Sequence, residues 1–272
     1  MILIFKARKV ITMNASWPEA SAIAVRDGRI LEVGDEDAMQ AWSATDETEV
    51  IDAFAEHVIL PCLIDPHLHP LMAAVLLPMQ FITALEWKFP WETIPATASP
   101  AQYRAALERE HRNTPARAAF FTWGYQQHWH GDMGRPLLDE IFGERPAVVW
   151  QRSFHEVYLN TAMLGHLGID PERIRGRHQI DIDQGHFYET GLGYAIGKLN
   201  QIIMSEAWID TGLERLRQLV HFGGHTTVGD MAVGIFDAEL EWAAARRVLD
   251  QDDTPLRVLC VPHATAAAAT SG

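Results

Sequence analysis

The chain has 272 residues, of which 48% are hydrophobic and 21% are charged, so it can form a large core and does not have the composition of a disordered protein. Its formal net charge of −14 argues against a nucleic-acid partner, because nucleic-acid-binding modules usually carry a basic surface. The longest apolar stretch, Leu71 to Leu77, is followed by Pro78 and is far shorter than the ~18 residues of a membrane-spanning helix. We therefore expect neither a nucleic-acid nor a membrane partner.

The cysteines and the first residues predict a cytoplasmic protein. Cys62 and Cys260 each lie in an apolar run without CxxC spacing, which is typical of buried, reduced thiols. Lys6, Arg8 and Lys9 follow only a few apolar residues, so this segment lacks the apolar core and the cleavage site of a signal peptide.

Residues 2–60 have the pattern of short strands. Asp27-Gly28 lies between two runs of alternating character, which predicts a hairpin in a small β layer. The apolar run VILPCLID at 58–65 does not alternate, and this is typical of a strand buried on both faces of a parallel sheet.

Helix and strand patterns alternate along the rest of the chain. Ser99 and Pro100 have the character of an N-cap and a first helical residue, and they predict a helix to about Glu110. A capping box at 211–214 predicts the start of another helix, which should end at Gly223. The other elements are predicted at AAFFTWG (118–124), PAVVWQ (146–151), TTVGDM (226–231), the helix 237–249 and LRVLCV (256–261).

This alternation predicts an α/β fold with right-handed βαβ units in a parallel sheet. The strands of this kind number five, whereas a closed (β/α) barrel has eight. The pattern therefore predicts an incomplete TIM-type barrel.

The strongest candidate site is Asp65-Pro66-His67-Leu68-His69, directly after the run VILPCLID. Residues two apart in an extended chain point to the same side, so His67 and His69 can aim both imidazoles at one metal ion. A second HxH pair, His128 and His130, lies in the polar segment GYQQHWHGD, and we expect it to be structural or solvated.

The segment VIDAFAEHVILPCLIDPHLHP (50–70) resembles the amidohydrolase pattern in which a β-sandwich segment leads into a first barrel strand ending in PGxIDxHxH. Five later segments follow, in order, the amidohydrolase family 3 branch, which includes N-acyl and N-formyl amide hydrolases: WGY (123–125), RPLLD (135–139), HEVYLNTAML (155–164), QGHFYE (184–189) and GGHTTVGDM (223–231). The resemblance extends to about residue 262 and covers the first half of the family's usual length.

The resemblance implies a metal-dependent hydrolase that cleaves amide-type, non-peptide C–N bonds of a small molecule through a metal-activated water. It implies a β-sandwich segment at 1–57 and a partial (β/α) barrel, the hydrolase domain, at 58–272. His67 and His69 would hold a divalent metal, with zinc well suited to imidazole ligands. The other ligands and the catalytic aspartate would lie on later strands, which this sequence does not contain.

Four further residues have candidate roles. His155 and Glu189 match family positions and could contact substrate, or they could be a helix-start histidine and a solvated glutamate. Trp123 could line a substrate pocket or pack in the core. Asp230 could support the site from the end of TTVGDM or cap the next loop.

Two alternatives stay open beside the amide hydrolase: a deaminase of the same superfamily, and a non-catalytic regulatory or remnant protein with this fold. A small molecule is the expected partner, and unpaired sheet edges would allow a homodimer. The low-complexity ending ATAAAATSG (264–272) leads us to expect that the chain is the N-terminal part of a longer enzyme, with little activity alone.

Overall fold

The computed structural model describes residues 1–44, 47–234, 237–251 and 256–262. The ending at 264–272 lies outside these residues. The chain divides into two compact units between Leu63 and Ile64. The assignment of 1–57 as a β-sandwich segment and of 58–272 as a hydrolase domain stays a prediction. Within the described residues, no helix combines the length and the apolar character that a membrane crossing requires.

The first unit is a five-stranded sheet with one short helix. Its order is β3-β2-β1-β4, with β5 also beside β1, and the elements are β1 (Ile2–Ile11), β2 (Glu19–Arg26), β3 (Arg29–Gly34), α1 (Gln40–Ser43), β4 (Thr48–Ile51) and β5 (Val58–Ile59). The predicted hairpin is confirmed, because β2 and β3 pair antiparallel around Asp27 and Gly28. These two residues have φ values of 51° and 71°, as the first and second positions of a type I′ turn require.

The second unit contains the remaining strands and helices. They are, in chain order, β6 (Leu63–Leu68), α2 (Pro70–Leu76), β7 (Gln80–Phe81), β8 (Trp87–Lys88), β9 (Thr93–Ile94), α3 (Pro100–Asn113), β10 (Phe120–Tyr125), α4 (Gln127–His130), α5 (Arg135–Phe142), β11 (Ala147–Gln151), β12 (Glu156–Leu159), α6 (Thr161–His166), α7 (Pro171–Ile174), β13 (Ile180–Asp181), β14 (His186–Tyr188), α8 (Thr190–Ile203), α9 (Glu206–Phe222), β15 (His225–Val233), α10 (Ala238–Val248) and β16 (Arg257–Pro262).

The largest sheet of this unit is mixed, not all parallel. Its order is β13-β14-β12-β11-β10-β7, in which β7, β10 and β11 run parallel, whereas β11, β12, β14 and β13 pair antiparallel. The change of direction follows from the short connection between β11 and β12, which is too short for a crossover helix. A second sheet has the order β16-β15-β6, with β15 and β16 parallel, and the described residues form no closed barrel.

The prediction of one buried strand at 58–65 is wrong. The segment divides into β5, which pairs with β1, and β6, which pairs with β15. Leu63 and Ile64 are 45% and 67% exposed because β6 is an edge strand of a three-stranded sheet in the described chain. Cys62 precedes this edge and is exposed, so its predicted burial is also wrong, whereas the free thiol Cys260 is partly buried.

The predicted helix starts differ in their outcome. Helix α3 begins as predicted, because the Ser99 side chain accepts a hydrogen bond from the backbone N–H of Gln102. Helix α9 begins after Ser205 and not at the capping box, and Thr211 donates its hydroxyl to the Ala207 carbonyl inside the helix. The helix starts more than a turn before the capping box, and the fully buried Ile209 extends the apolar face of α9 into this added turn.

Helix α9 packs closely against α2. A Cβ on Gly212 would lie 1.9 Å from the Ala74 carbonyl oxygen, so only glycine allows this approach. The Trp208 indole donates to the Val75 carbonyl at 3.0 Å, and the Arg215 guanidinium donates to the Leu77 carbonyl at 2.5 Å. These contacts fix α2, whose N-cap residue is one of the two candidate metal ligands.

Candidate functional site

The two histidines of the first HxH pair lie side by side at the end of β6. The ring centres of His67 and His69 are 5.2 Å apart, with the rings edge to face. The Asp65 carboxylate accepts a hydrogen bond from the His67 backbone N–H at 3.0 Å and fixes the end of the strand. His69 is the N-cap residue of α2, and Pro70 starts the helix. A strand end and a helix start therefore position the two imidazoles together.

A polar atom of His69 is buried without a partner. Its Nδ1 is shielded from solvent and has no hydrogen bond in the described part of the chain. Buried polar atoms without partners are rare in proteins and often mark the position of a ligand, an ion or a water. Two neighbouring imidazoles with one unpaired buried nitrogen fit a divalent metal such as zinc.

A carboxylate on β15 lies near these histidines. Asp230 is 4% exposed, and burial raises the pKa of its carboxyl group. The Ala232 backbone N–H lowers this pKa, the charge of Glu241 raises it further, and the charge of His69 lowers it. A Cβ on the preceding residue, Gly229, would lie 2.6 Å from the Pro66 carbonyl oxygen, so glycine permits the close pairing of β15 with β6.

Sequence reasoning missed a second buried carboxylate. Glu241 of α10 is 1% exposed and accepts hydrogen bonds from the backbone N–H groups of Gly234 and Asp237 at 2.5 and 3.1 Å. Its effect on the Asp230 pKa indicates that the two carboxyl groups are close. Glu241 lies four residues after the N-cap residue Asp237, one more than the spacing of a capping box, so no standard local pattern marked it.

The structure brings His155 and Glu189 together. The His155 Nδ1 lies 3.3 Å from the Glu189 Oε2, and the Glu189 backbone N–H donates to the His155 carbonyl at 3.1 Å. Both side chains are more than half exposed. Phe154 and Glu189 have φ values of 69° and 48°, a left-handed conformation that is costly for residues other than glycine. Such strain is often concentrated at functional sites.

Trp123 lies in the core of the second unit at 7% exposure. Its ring centre is 5.1 Å from that of Phe81 and 5.6 Å from that of Trp87. Its indole Nε1 is buried and has no hydrogen-bond partner among the residues that the structure describes. Trp123 therefore packs in the core and keeps an indole N–H without a partner in the described part of the chain.

The second HxH pair does not form a loop site. His128 and His130 lie in the short helix α4, and His130 is 3% exposed, which agrees with the structural one of the two roles expected for this pair. Its Nδ1 accepts from the Gln126 backbone N–H at 3.0 Å, its Nε2 contacts the Thr97 carbonyl at 2.8 Å, and its ring stacks on Tyr103. Both ring nitrogens are engaged, which indicates a structural role.

The comparisons with solved structures concern the fold. Two uncharacterized metal-dependent hydrolases, from Pyrococcus horikoshii OT3 and from Pyrococcus furiosus, each match 96% of this chain with a TM-score of 0.71, at 18% and 20% sequence identity. The chain shares the fold of the matched part of these two proteins. It spans only 48% and 50% of their lengths.

Sequence comparison adds one curated protein. The chain is similar to the exoenzymes regulatory protein AepA of Pectobacterium carotovorum subsp. carotovorum, with 24% identity over 191 residues, which are 66% of this chain and 38% of AepA. No family model matches the chain. Within the described ranges, no group of three or more His, Cys, Asp or Glu side chains is arranged to hold a metal ion.

Proposed function

We propose that this chain is the metal-binding part of a hydrolase that cleaves amide-type, non-peptide C–N bonds of a small, neutral or N-acylated molecule. One observation carries the proposal: His69 has a buried Nδ1 without a partner and lies beside His67. The fold shared with metal-dependent hydrolases supports it.

His67 and His69 would hold the metal, and zinc suits their imidazole nitrogens. When bound, a divalent metal supplies Lewis-acid activation of a water and of the scissile carbonyl. The Asp65 carboxylate orients the end of β6 through its bond to the His67 N–H. Asp230 would provide a buried negative charge near His69, and the exposed His155–Glu189 pair would contact substrate.

The proposal also covers the family of the chain and the residues that the metal site still needs. We assign the chain to the family 3 branch of the amidohydrolase superfamily, with a β-sandwich segment at 1–57 and a partial (β/α) barrel at 58–272. A catalytic zinc centre uses three protein ligands, so we propose that the remaining ligand and the catalytic aspartate come from outside this chain. A cytoplasmic location and a homodimer formed through the open sheet edges complete the proposal.

The second candidate function is a non-catalytic regulatory protein with the same fold. The relative AepA is named a regulatory protein, which favours this candidate. A regulatory protein can keep the two histidines without cleaving amides. Metal binding and amide hydrolysis must therefore be measured separately.

The test of the metal site compares the parent chain, the double variant His67→Ala/His69→Ala and the control His128→Ala. His128 is exposed in the structure, so its replacement should remove one histidine and leave the candidate metal site unchanged. We expect the parent and the control to bind zinc and the double variant to lose this binding, measured by equilibrium dialysis against buffered zinc. Equal metal content in all three proteins would overturn the assignment.

The test of the reaction is a screen of N-acyl and N-formyl amides with the metal-loaded chain, alone and in an extended form that includes any continuation encoded downstream. Hydrolysis by the extended form that the double variant abolishes would support the hydrolase. Metal binding without hydrolysis in either form would favour the regulatory candidate.

A further inference from the structure

Two neighbouring strands each carry a buried indole N–H without an acceptor. Trp123 on β10 and Trp150 on β11 are direct partners in the parallel register. Trp123 is 7% exposed and Trp150 is completely buried. The Nε1 atoms of both are shielded from solvent and have no hydrogen-bond partner within the described residues. Two adjacent unpaired donors are costly in a native core unless an acceptor joins them.

These donors lie near a sheet edge where ligands usually bind. Strands β7, β10 and β11 are parallel, and both tryptophans are within two residues of the carboxyl ends of their strands. In α/β sheets, ligands bind outside the carboxyl ends of parallel strands. His155, the partner of Glu189, follows β11. Leu68, between the two candidate metal ligands, packs against the same core cluster as both tryptophans.

Aromatic side chains surround the first donor. We call Phe81, Trp87, Phe89, Trp91 and Trp123 the aromatic wall. Its ring centres are 5.0 to 5.9 Å from their neighbours, and Phe89 and Trp91 stack with an interplanar angle of 3°. Three of the five, Phe81, Trp87 and Trp91, are partly exposed. A flat apolar group can therefore stack on the wall.

Partly exposed rings contact the two tryptophans. Phe154 stacks on Trp150 at 4.7 Å between ring centres, and its backbone is in the left-handed conformation at φ 69°. Trp87, in the short hairpin of β8 and β9, contacts Trp123 edge to face. A ligand that reaches the two N–H groups would have to displace these two side chains.

The charges near the wall favour an uncharged ligand. The Trp91 indole N–H donates to the Glu92 carboxylate at 3.2 Å, and Glu189 is exposed beside His155. The Arg215 guanidinium lies 5.6 Å over the Trp91 ring and offsets these carboxylates, so neither sign of charge dominates at the wall. A neutral carbonyl oxygen therefore suits the two indole donors better than an ionic group.

We propose that Trp123 and Trp150 donate their indole N–H groups to the carbonyl oxygen of a neutral aromatic amide whose ring stacks on the aromatic wall. The inference rests on the proposed function only in calling this amide a substrate. It narrows the proposed substrates to aromatic N-acyl amides or aryl amides.

The test is a titration of the isotopically labelled 272-residue chain with benzamide, followed by NMR of the indole N–H resonances, without added metal. Nine tryptophans give at most nine indole signals, and single Trp→Phe variants assign them. We expect benzamide to move the signals of Trp123 and Trp150 downfield. Toluene, which has the ring but no acceptor, should bind the wall without this downfield movement.

Affinity measurements provide the second readout. Trp123→Phe and Trp150→Phe should each weaken benzamide binding about fivefold, because each loses one hydrogen bond, and should weaken toluene binding far less. The control Trp129→Phe removes an indole that is 42% exposed and should leave both affinities unchanged.

Two results would overturn the proposal. The first is that benzamide saturates its site while both indole signals stay in place and both N–H groups receive magnetisation from water. Internal waters would then be the acceptors of the two N–H groups. The other is an equal loss of benzamide and toluene affinity in the two variants. If a variant does not fold, the titration of the parent still decides. Because no metal is added, benzamide binding can succeed when the proposed hydrolase function fails.

Discussion

Glycine at position 212 decides whether α9 can pack against α2, and Gly212→Ala tests this packing. The new Cβ would lie 1.9, 2.5 and 2.6 Å from the carbonyl oxygen, carbonyl carbon and Cα of Ala74. All three atoms belong to the backbone, so no side-chain rotation relieves the contact and α9 must move away. Overpacking of this kind costs about 1–3 kcal/mol, and three backbone contacts justify the upper value of about 3 kcal/mol.

Two further effects modify this cost. Alanine is about 1 kcal/mol better than glycine inside a helix, which leaves a net loss of about 2 kcal/mol. The movement of α9 would also lengthen the bonds from Trp208 to the Val75 carbonyl and from Arg215 to the Leu77 carbonyl, so about 2 kcal/mol is a lower limit. For a domain of this size, the loss lowers the thermal midpoint by about 4–8 °C.

The matched control is Gly197→Ala in α8. Gly197 is also inside a helix, and its Cβ would meet no heavy atom within 4 Å. The same substitution should therefore raise the free energy of unfolding by about 1 kcal/mol and the midpoint by about 2–4 °C. Both variants are measured by calorimetry and urea unfolding. A rise of the midpoint in Gly212→Ala similar to that in Gly197→Ala would refute the packing argument.

Three other predictions concern protonation and activity. Burial lowers the pKa of His130 in the folded protein, so below about pH 6.5 this side chain binds a proton more readily in the unfolded chain than in the folded one. The free energy of unfolding should therefore fall as the pH drops through this value. His130→Gln should make the fall of the thermal midpoint between about pH 7.5 and 5.5 shallower, and identical slopes would contradict this account. The raised pKa of Asp230 means that its ionised form destabilises the metal-free fold, so Asp230→Asn should raise the midpoint near pH 7 and lose this advantage as the pH falls toward about 3.9. A lower midpoint for Asp230→Asn at neutral pH, after chelation of metals, would show that the carboxylate stabilises the fold instead. Residues 1–272 alone should hydrolyse amides poorly because two imidazoles are fewer than the three protein ligands of a catalytic zinc centre, and full activity of this chain in the amide screen would disprove this.

Features that depend on a few adjacent residues could be predicted from the sequence. Asp27-Gly28 specifies its hairpin because both residues tolerate positive φ, and Ser99-Pro100 specifies the start of α3 through one side-chain cap and one fixed φ. The proximity of His67 and His69 belongs to the same class, since neighbours two apart on a strand share a face.

Features that depend on distant contacts required the tertiary structure. The capping box at 211–214 is a valid local start, yet α9 begins after Ser205 because Ile209 finds a buried position in the core. The segment 58–65 has the composition of a buried strand, but its second part belongs to β6, which lies at the edge of its sheet in the described chain.

The candidate site shows the same division. The sequence identifies His67 and His69 by their spacing. It contains no local pattern that predicts the approach of Asp230 to them across a gap of some 160 residues. Nor does any local pattern predict the hydrogen bonds of both ring nitrogens of His130. Such contacts arise when strands pair and helices pack, and their free energy depends on burial and on distances between segments that are remote in the chain. Local chemistry therefore determined the residues at the site, and only the packing of the second unit decided which of them are buried, paired or left with an unpaired polar atom.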